Sequence, residues 1–138
     1  MVLHVIDARN LERILPMTHQ LIEAGLPVVL LINIMDEAER VGMHVDVALL
    51  QEKLQIPVVG GAMGRAKRGL WELRDAIRDF KVSKATFNYA TDLEKDIHGI
   101  SSLMQGDYTL DRRSLTLMLL QRDEEIAERV KDRAGGTE

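Results

Sequence analysis

The stretch that decides the fold is LPVVLLINIMD, residues 26–36, an aliphatic run that ends abruptly in polar residues. Leu26 to Ile32 carry no charge and are mostly valine, leucine and isoleucine, which predicts a strand. Because the apolar residues are continuous rather than alternating, we expect the strand to be covered on both faces, as in a parallel sheet. Asn33-Ile34-Met35-Asp36 then follows the carboxyl end of that strand and opens a helix.

Similar but shorter apolar runs flank this strand at Val2 to Ile6 and Ile56 to Val59. Helical patterns lie between and after these strands, at Leu15 to Ala24 with Pro16 in the first turn and Gly25 just beyond the end, Asp36 to Val41, Asp46 to Leu54 and Leu70 to Phe80. Alternating strands and helices imply a parallel sheet with right-handed crossovers. Ligands of such sheets bind beyond the carboxyl ends of the strands.

The pattern changes after Phe80, where no strand-like run occurs. Helices are predicted at Lys84 to Ser102, Leu110 to Leu120 and Asp123 to Arg133. We therefore expect an α/β class chain with a three-layer arrangement around a parallel sheet of three strands, followed by a small all-α helical module. The predicted domains are residues 1–81 and 82–138.

Composition excludes several classes of protein. The chain has no cysteine, which removes disulfides, thiolate metal sites and cysteine nucleophiles. Its net charge of −4 comes without a basic tail, so nucleic acid is not an expected partner. The longest apolar run is far below the roughly 20 residues of a membrane span, so we expect the chain itself to be soluble. The four histidines lack ligand-like spacing, and no metal site is predicted.

Asn33 and Asp36 are the candidate base-reading residues. A carboxylate such as that of Asp36 accepts hydrogen bonds from guanine N1–H and from the 2-amino group, which adenine cannot supply. Asn33 would brace the neighbouring loops and reach the base edge. The alternative explanation is structural, since Asp36 is also a reasonable helix N-cap.

The loop after the third strand supports the functional interpretation. Gly60-Gly61-Ala62-Met63-Gly64 follows that strand, and its small residues would let backbone N–H groups approach a base carbonyl. We expect Gly61, Ala62 and Met63 to line the same base site as Asn33, Ile34 and Asp36.

Several segments resemble the FeoB family, ferrous iron transport protein B: VIDARNLER at residues 5–13, GLPVV at 25–29, NIMDEAE at 33–39, IPVV at 56–59 and GLWEL at 69–73. RRSL at residues 112–115 and LL at 119–120 resemble the family's small helical domain. The resemblance covers nearly the whole chain. It implies part of a P-loop-GTPase-like fold, with a helical domain that links the GTPase to a transport domain and tunes nucleotide release.

The chain departs from the family pattern in three ways. Ile34 stands where the family usually has Met, and Gly61-Ala62 stands where it usually has Ser-Ala. No G-x-x-x-x-G-K string followed by Ser or Thr is present. The resemblance therefore implies GTP or GDP as the ligand through guanine-base contacts only, with the Mg²⁺ site in segments that this sequence does not contain. No catalytic residue is predicted, and we expect no hydrolysis of GTP by the chain alone.

The expected function is guanine-nucleotide recognition within a GTP-dependent ferrous iron uptake protein, of which this chain would be a fragment. The implied partners are the remaining half of the GTPase domain and a membrane transport domain, on the cytoplasmic side of the bacterial inner membrane. Residues 2–6 would form an open apolar edge, which favours self-association or docking. Two alternatives stay open: a structural or interaction module that binds no nucleotide, and an unrelated parallel α/β domain such as a receiver-like domain.

Overall fold

The computed structural model describes residues 1–64, 67–80, 82–83, 85 and 87–134. Its elements are, in order, β1 (Val2–Asp7), a 3-10 turn (Ala8–Asn10), α1 (Leu11–Glu23), β2 (Val28–Asn33), α2 (Met35–Arg40), α3 (Val47–Leu54), β3 (Val58–Gly60), α4 (Leu70–Arg78), α5 (Thr91–Leu103), α6 (Arg112–Leu120) and α7 (Glu124–Ala134). The chain divides into two compact units: Met1–Ile22 with Leu26–Ala85, and Glu23–Gly25 with Thr86–Glu138.

The three strands of the first unit form a parallel sheet in the order β1-β2-β3. The register places Asp7 beside Asn33 and Ile32 beside Gly60, so the three strands end at the same edge. The α/β class, with a parallel sheet at the centre of the first unit, is confirmed.

β2 is the central strand, and its first five residues are all buried. The strand begins at Val28, two residues later than Leu26, because Leu26 belongs to the turn that closes the C-terminus of α1. The backbone N–H of Leu26 donates to the carbonyl of Leu21 at 3.3 Å, and Gly25 adopts a left-handed φ of 69°. This is the six-to-one bond of a helix C-terminal motif.

α1 begins four residues earlier than predicted, and Pro16 lies inside it and not in its first turn. Helical winding starts early because the Asp7 carboxylate accepts from the N–H of Arg9 at 2.9 Å and caps the 3-10 turn that leads into α1. Pro16 has no N–H, so one helical hydrogen bond is lost. Burial of Thr18 and Ile22 on the same helix offsets that cost.

One face of the sheet packs against α4. Val29, Leu31 and Val59 form a buried cluster with Leu73, and the side chains of Met63, Ala76 and Ile77 pack on it. Leu3 and Val5 pair in register with Val29 and Leu31, which puts them on the same face. They nevertheless stay 38% and 51% exposed, because α4 and the side chains that pack with it cover β2 and β3 but not β1.

The described residues of the second unit after Gly25 are helical or irregular. The predicted helix from Lys84 to Ser102 is wrong at its start, because residues 87–90 are not helical and α5 begins at Thr91. The carboxylate of Glu94 accepts from the N–H of Tyr89 at 2.8 Å, which stabilises the helix start. Lys84 and Thr86 of that prediction lie outside the described residues. No helix in the described ranges is both long and apolar enough to cross a membrane.

α6 begins at Arg112, two residues later than the predicted start at Leu110. Asp111 is the N-cap, and its carboxylate accepts from the backbone N–H of Arg113 at 3.0 Å. Leu115 of α6 and Ile97 of α5 are buried, which gives this unit its apolar interior.

Candidate functional site

The predicted site residues lie where β2 and β3 end. Asn33 is the last residue of β2, and Ile34 connects it directly to α2, which carries Asp36 in its first turn. Gly61, Ala62 and Met63 follow the last residue of β3. All six predicted residues belong to the first unit, and backbone pairing of β2 with β3 brings the two loops to the same edge.

Asn33 joins these two loops. Its side-chain oxygen Oδ1 accepts a hydrogen bond from the backbone N–H of Met63 at 2.9 Å. The loops are also joined by backbone bonds, since the N–H of Met35 donates to the carbonyl of Gly61 and the N–H of Gly61 donates to the carbonyl of Ile32. Asn33 thus has the bracing contact that its position predicts.

Ile34 adopts a left-handed backbone conformation, with φ 62° and ψ 31°. A β-branched residue in this region is unusual and costs about 1–2 kcal/mol. The turn is kept because the Ile34 carbonyl accepts from the N–H groups of Glu37 and Ala38, both at 3.2 Å. The sharp turn starts α2 directly at the end of the strand, and strain of this kind is typical of functional sites.

Asp36 is the second residue of α2 and is half-buried. It is not the N-cap that the structural alternative requires, because Ile34 occupies that position and no side chain caps the helix. Within the part of the chain that the structure describes, its carboxylate makes no hydrogen bond or ion pair. Two acceptor oxygens at the start of a helix are therefore available to a ligand.

The loop after β3 forms a wall beside Asn33, and its first three N–H groups are already used. The N–H of Gly61 donates to Ile32, that of Ala62 to the carbonyl of Arg68 at 3.1 Å, and that of Met63 to Asn33. Gly64 is exposed, and its N–H has no acceptor among the described residues. In this conformation a base carbonyl would find a free amide at Gly64.

Two glycines let this loop close on itself. A Cβ on Gly61 would lie 2.8 Å from the carbonyl oxygen of Arg68, and one on Gly69 would lie 2.8 Å from that of Gly60. Gly69 also has a φ of +86°, which is unfavourable for other residues. The sequence pattern did not single out Gly69, because the clash is with a residue nine positions away.

Two arginines pair with acidic residues of α2. Arg9 binds Asp7 through Nη2 at 2.7 Å and Glu37 through Nη1 at 2.8 Å. Arg68 binds Glu39 in a bidentate pair, at 2.7 Å from Nη2 and 3.3 Å from Nη1. The Arg9 hydrogen bonds lower the pKa of Asp7 to about 2, so Asp7 is charged and already engaged.

The sequence places Arg65, Lys67 and Arg68 in a small basic cluster, for which solvation is the expected role and contact with the nucleotide or with lipid headgroups the alternative. It does not single out Glu39 as the partner of Arg68. A usable signal was present: Asp36 and Glu39 are three residues apart on one helix, with a basic residue in the adjacent loop. Arg65 of that cluster lies outside the described residues. Among the described residues no group of three or more His, Asp or Glu side chains is arranged to hold a metal ion.

Comparison with known proteins places these features in a family. The family described as Ferrous iron transport protein B matches residues 1–77, and the FeoB cytosolic helical domain matches residues 89–138. A Fe(2+) transport protein A/Fe(2+) transporter FeoB fusion protein of Porphyromonas gingivalis is 35% identical over 136 residues, and the Fe(2+) transporter FeoB of Escherichia coli K12 is 32% identical over 126 residues. The matches take in 91% and 89% of this chain and 16% of each relative.

Solved structures give the same result. The cytosolic domain of T. maritima FeoB in its GMPPNP form superposes with a TM-score of 0.85 at 28% identity, covering 99% of this chain and 55% of that chain. A GDP form of the same domain gives a TM-score of 0.84 at 26% identity, covering 100% and 56%. The chain thus spans about half of these cytosolic domains and about one sixth of the curated relatives, and it belongs to the FeoB ferrous iron transport family.

Proposed function

We propose that this chain supplies the guanine-recognition half of a GTP site. The observation that carries the proposal is the Asp36 carboxylate, which has no partner among the described residues and is held in the first turn of α2 beside a loop that Asn33 braces through Met63. FeoB cytosolic domains of the same fold are described in GDP and GMPPNP forms, which supports a guanine nucleotide as the ligand.

Each site residue has a role in this proposal. The two oxygens of Asp36 accept from guanine N1–H and the 2-amino group, with charge-assisted bonds of about 1.5–3 kcal/mol each. Ile34 offers an aliphatic side chain over the base. Gly61, Ala62 and Met63 form the wall opposite α2, and the free N–H of Gly64 is the donor for the base carbonyl.

The proposal is tested by titrating the ¹⁵N-labelled chain with GDP and, separately, with ADP. We expect GDP to shift the amide resonances of residues 33–38 and 61–64, and ADP to leave them in place at the same concentration. Equal shifts with both nucleotides would mean phosphate or non-specific binding. No shift with either, from a chain with dispersed resonances, would favour the alternative that this is a structural module without nucleotide.

The wider role follows from the relatives. We infer that the chain acts within a GTP-dependent ferrous iron uptake protein at the cytoplasmic side of the bacterial inner membrane. Relatives named Fe(2+) transporter support the iron-transport part of this inference. Phosphate binding, Mg²⁺ and hydrolysis would depend on parts of the cytosolic domain outside the region matched here. The chain alone should therefore release no phosphate from GTP, which a malachite green assay measures; turnover above background would refute this.

The outer edge of β1 is the proposed contact with that remaining part. No strand pairs with this edge among the described residues, and Leu3 and Val5 stay exposed beside it. Solved cytosolic domains extend well beyond the matched region, so a strand from that region is the expected occupant. The double variant Leu3→Lys with Val5→Lys should abolish pull-down of the separately expressed remainder of the domain. Sedimentation of the chain alone as a dimer that the variant dissociates would instead identify self-association.

A further inference from the structure

Arg68 is one of two arginines that pair with acidic residues of α2, the helix that carries Asp36. Its guanidinium forms the bidentate pair with Glu39, and the exposed fractions of the two side chains are 47% and 44%. The hydrogen bonds and charge of Glu39 raise the pKa of Arg68, and the charge of Asp36, three positions earlier on α2, adds a smaller effect in the same direction. Arg68 is thus within electrostatic range of the base-reading carboxylate but bonded to another one.

Asp36 and Glu39 are separated by three residues on α2, so their side chains lie on neighbouring positions of one helix face. The two carboxylates repel each other, which is seen in the influence of Asp36 on the pKa of Glu39. The Arg68 hydrogen bond to Glu39 outweighs that repulsion and lowers the pKa of Glu39.

The backbone of Arg68 is fixed independently of its side chain. Its carbonyl accepts from the N–H of Ala62 at 3.1 Å, as part of an antiparallel bridge between these two residues. Because the backbone is held, loss of Glu39 would leave the guanidinium in the same neighbourhood. The acid then available to it on the adjacent helix face is Asp36.

We propose that Glu39 is a specificity-determining positioning residue, which holds the guanidinium of Arg68 away from Asp36 and so keeps the Asp36 carboxylate free for guanine. The inference rests on the proposed guanine site and deepens it. Without Glu39, Arg68 competes with the 2-amino group and N1–H of the base for the same oxygens. Arg68 needs no contact with the nucleotide in this arrangement.

The test compares GDP with IDP, whose base lacks the 2-amino group. The ratio of their Kd values, measured by NMR titration of the full chain, reports whether Asp36 binds that group. For the wild type we expect IDP to bind about tenfold more weakly. In Glu39→Gln the ratio should fall by about two- to fivefold, the range of an exposed ion pair. The double variant Glu39→Gln with Arg68→Gln should regain the wild-type ratio.

Two single variants separate this role from a purely structural one. Glu37→Gln removes the ion pair between Arg9 and Glu37. Glu37 is on the same helix as Glu39, and this pair is about as exposed as the Arg68–Glu39 pair, so the ratio of the GDP and IDP Kd values should stay unchanged. Arg68→Gln should also keep the wild-type ratio of the GDP and IDP Kd values. If the Arg68–Glu39 pair only held the loop against α2, Arg68→Gln would lower this ratio as much as Glu39→Gln. Circular dichroism melts verify that each variant is folded.

The outcomes separate the proposed role of Glu39 from the proposed guanine site. A wild-type chain that prefers GDP over IDP, combined with an unchanged ratio in Glu39→Gln, would overturn the role of Glu39 and leave the guanine site standing. Failure of the double variant to restore the ratio would also overturn it. A wild-type chain with no preference between GDP and IDP would overturn the guanine site itself, and this inference with it.

Discussion

Two polar clusters in this chain are built differently. The cluster at the ends of β2 and β3 leaves Asp36 without a partner among the described residues and holds Ile34 and Gly69 in left-handed backbone conformations. The cluster in the helical unit pairs its charges: Arg113 binds Glu94 at 2.7 and 2.8 Å and also the carbonyl of Phe87 at 2.8 Å.

Tyr89 and Ser114 add hydrogen bonds to the helical cluster, although Arg113 Nε and Glu23 Oε1 are buried without a hydrogen-bond partner among the described residues. The hydroxyl of Tyr89 donates to Glu23 at 2.7 Å, and burial together with that carboxylate raises the pKa of Tyr89 to about 12. The hydroxyl of Ser114 donates to the backbone carbonyl of Glu23. Paired groups of this kind hold helices together, whereas the Asp36 carboxylate has no partner among the described residues and follows a strained backbone turn at Ile34. The sequence leaves open a pairing of Arg112 and Arg113 with acids of the other module, and the structure pairs Arg113 with Glu94 of its own unit.

The largest expected effect is on the backbone of the first cluster. Gly69→Ala combines an unfavourable φ with a clash against the carbonyl of Gly60 and should lower the free energy of unfolding by about 2–3 kcal/mol. Gly42→Ala is the matched control, because Gly42 has a φ of +77° but a Cβ there meets nothing within 4 Å. Gly42→Ala should lower the free energy of unfolding by about 1 kcal/mol. Urea unfolding followed by circular dichroism gives both values, and equal losses would show that the close approach of Gly69 to Gly60 has no effect.

A smaller effect is expected from the helical cluster, and it should depend on pH. Arg113→Met removes the bidentate pair with Glu94 and should lower the free energy of unfolding by about 2 kcal/mol near neutral pH. Arg113 and the Tyr89 N–H lower the pKa of Glu94 to about 2, so the stability from this pair is present above the ordinary glutamate pKa and is lost as pH falls toward about 2. The variant should show a weaker loss of thermal stability between pH 5 and 2. The pKa of Asp7 is also lowered to about 2, and Asp7 is unchanged in the variant, so part of the stability loss at low pH remains.

Arg129→Met is the control for this second prediction. Arg129 pairs with Glu125 on the surface of α7, with exposed fractions of 70% and 73%, and such pairs contribute little. Its melting curves should follow the wild type at every pH. If Arg113→Met also followed the wild type, or if it weakened GDP binding more than stability, the contrast between a structural and a ligand-binding cluster would be wrong.

The smallest expected effect is a gain in stability. Asparagine tolerates the left-handed region better than isoleucine, so Ile34→Asn should raise the free energy of unfolding by about 0.5–1 kcal/mol. The same change removes the aliphatic side chain proposed to cover the base, and GDP binding should weaken severalfold. Parallel urea unfolding and NMR titration measure the two effects. A variant that is less stable, or one that binds GDP as well as the wild type, would show that the strain at Ile34 is not kept for the ligand.

The sheet could be predicted from the sequence because its signals are local. The aliphatic runs that became β1, β2 and β3 are continuous and separated by helical patterns, and a parallel sheet follows from that order. The bracing contact of Asn33 with the loop after β3 was predictable for the same reason, since consecutive parallel strands end at one edge.

Features that depend on distant contacts were not predictable. Pro16 lies inside α1 because buried residues on that helix compensate for it, and α5 starts at Thr91 because Glu94 reaches back to Tyr89. The requirement for Gly69 and the pairing of Arg68 with Glu39 arise only when the loop folds back. The sequence also did not show that the first three N–H groups of the loop after β3 donate to acceptors within the chain, because these bonds form only when the loop folds.

The central claim is that the Asp36 carboxylate reads guanine, and Asp36→Asn tests it most directly. The Asn amide has one acceptor oxygen, so it cannot accept from both N1–H and the 2-amino group of guanine, whereas its NH2 can donate to the C2 oxygen of xanthine. We predict that the variant loses GDP binding by more than tenfold and binds XDP more tightly than GDP, with a melting temperature close to the wild type. A folded Asp36→Asn chain that binds GDP as tightly as the wild type, and shows no preference for XDP, would contradict the account.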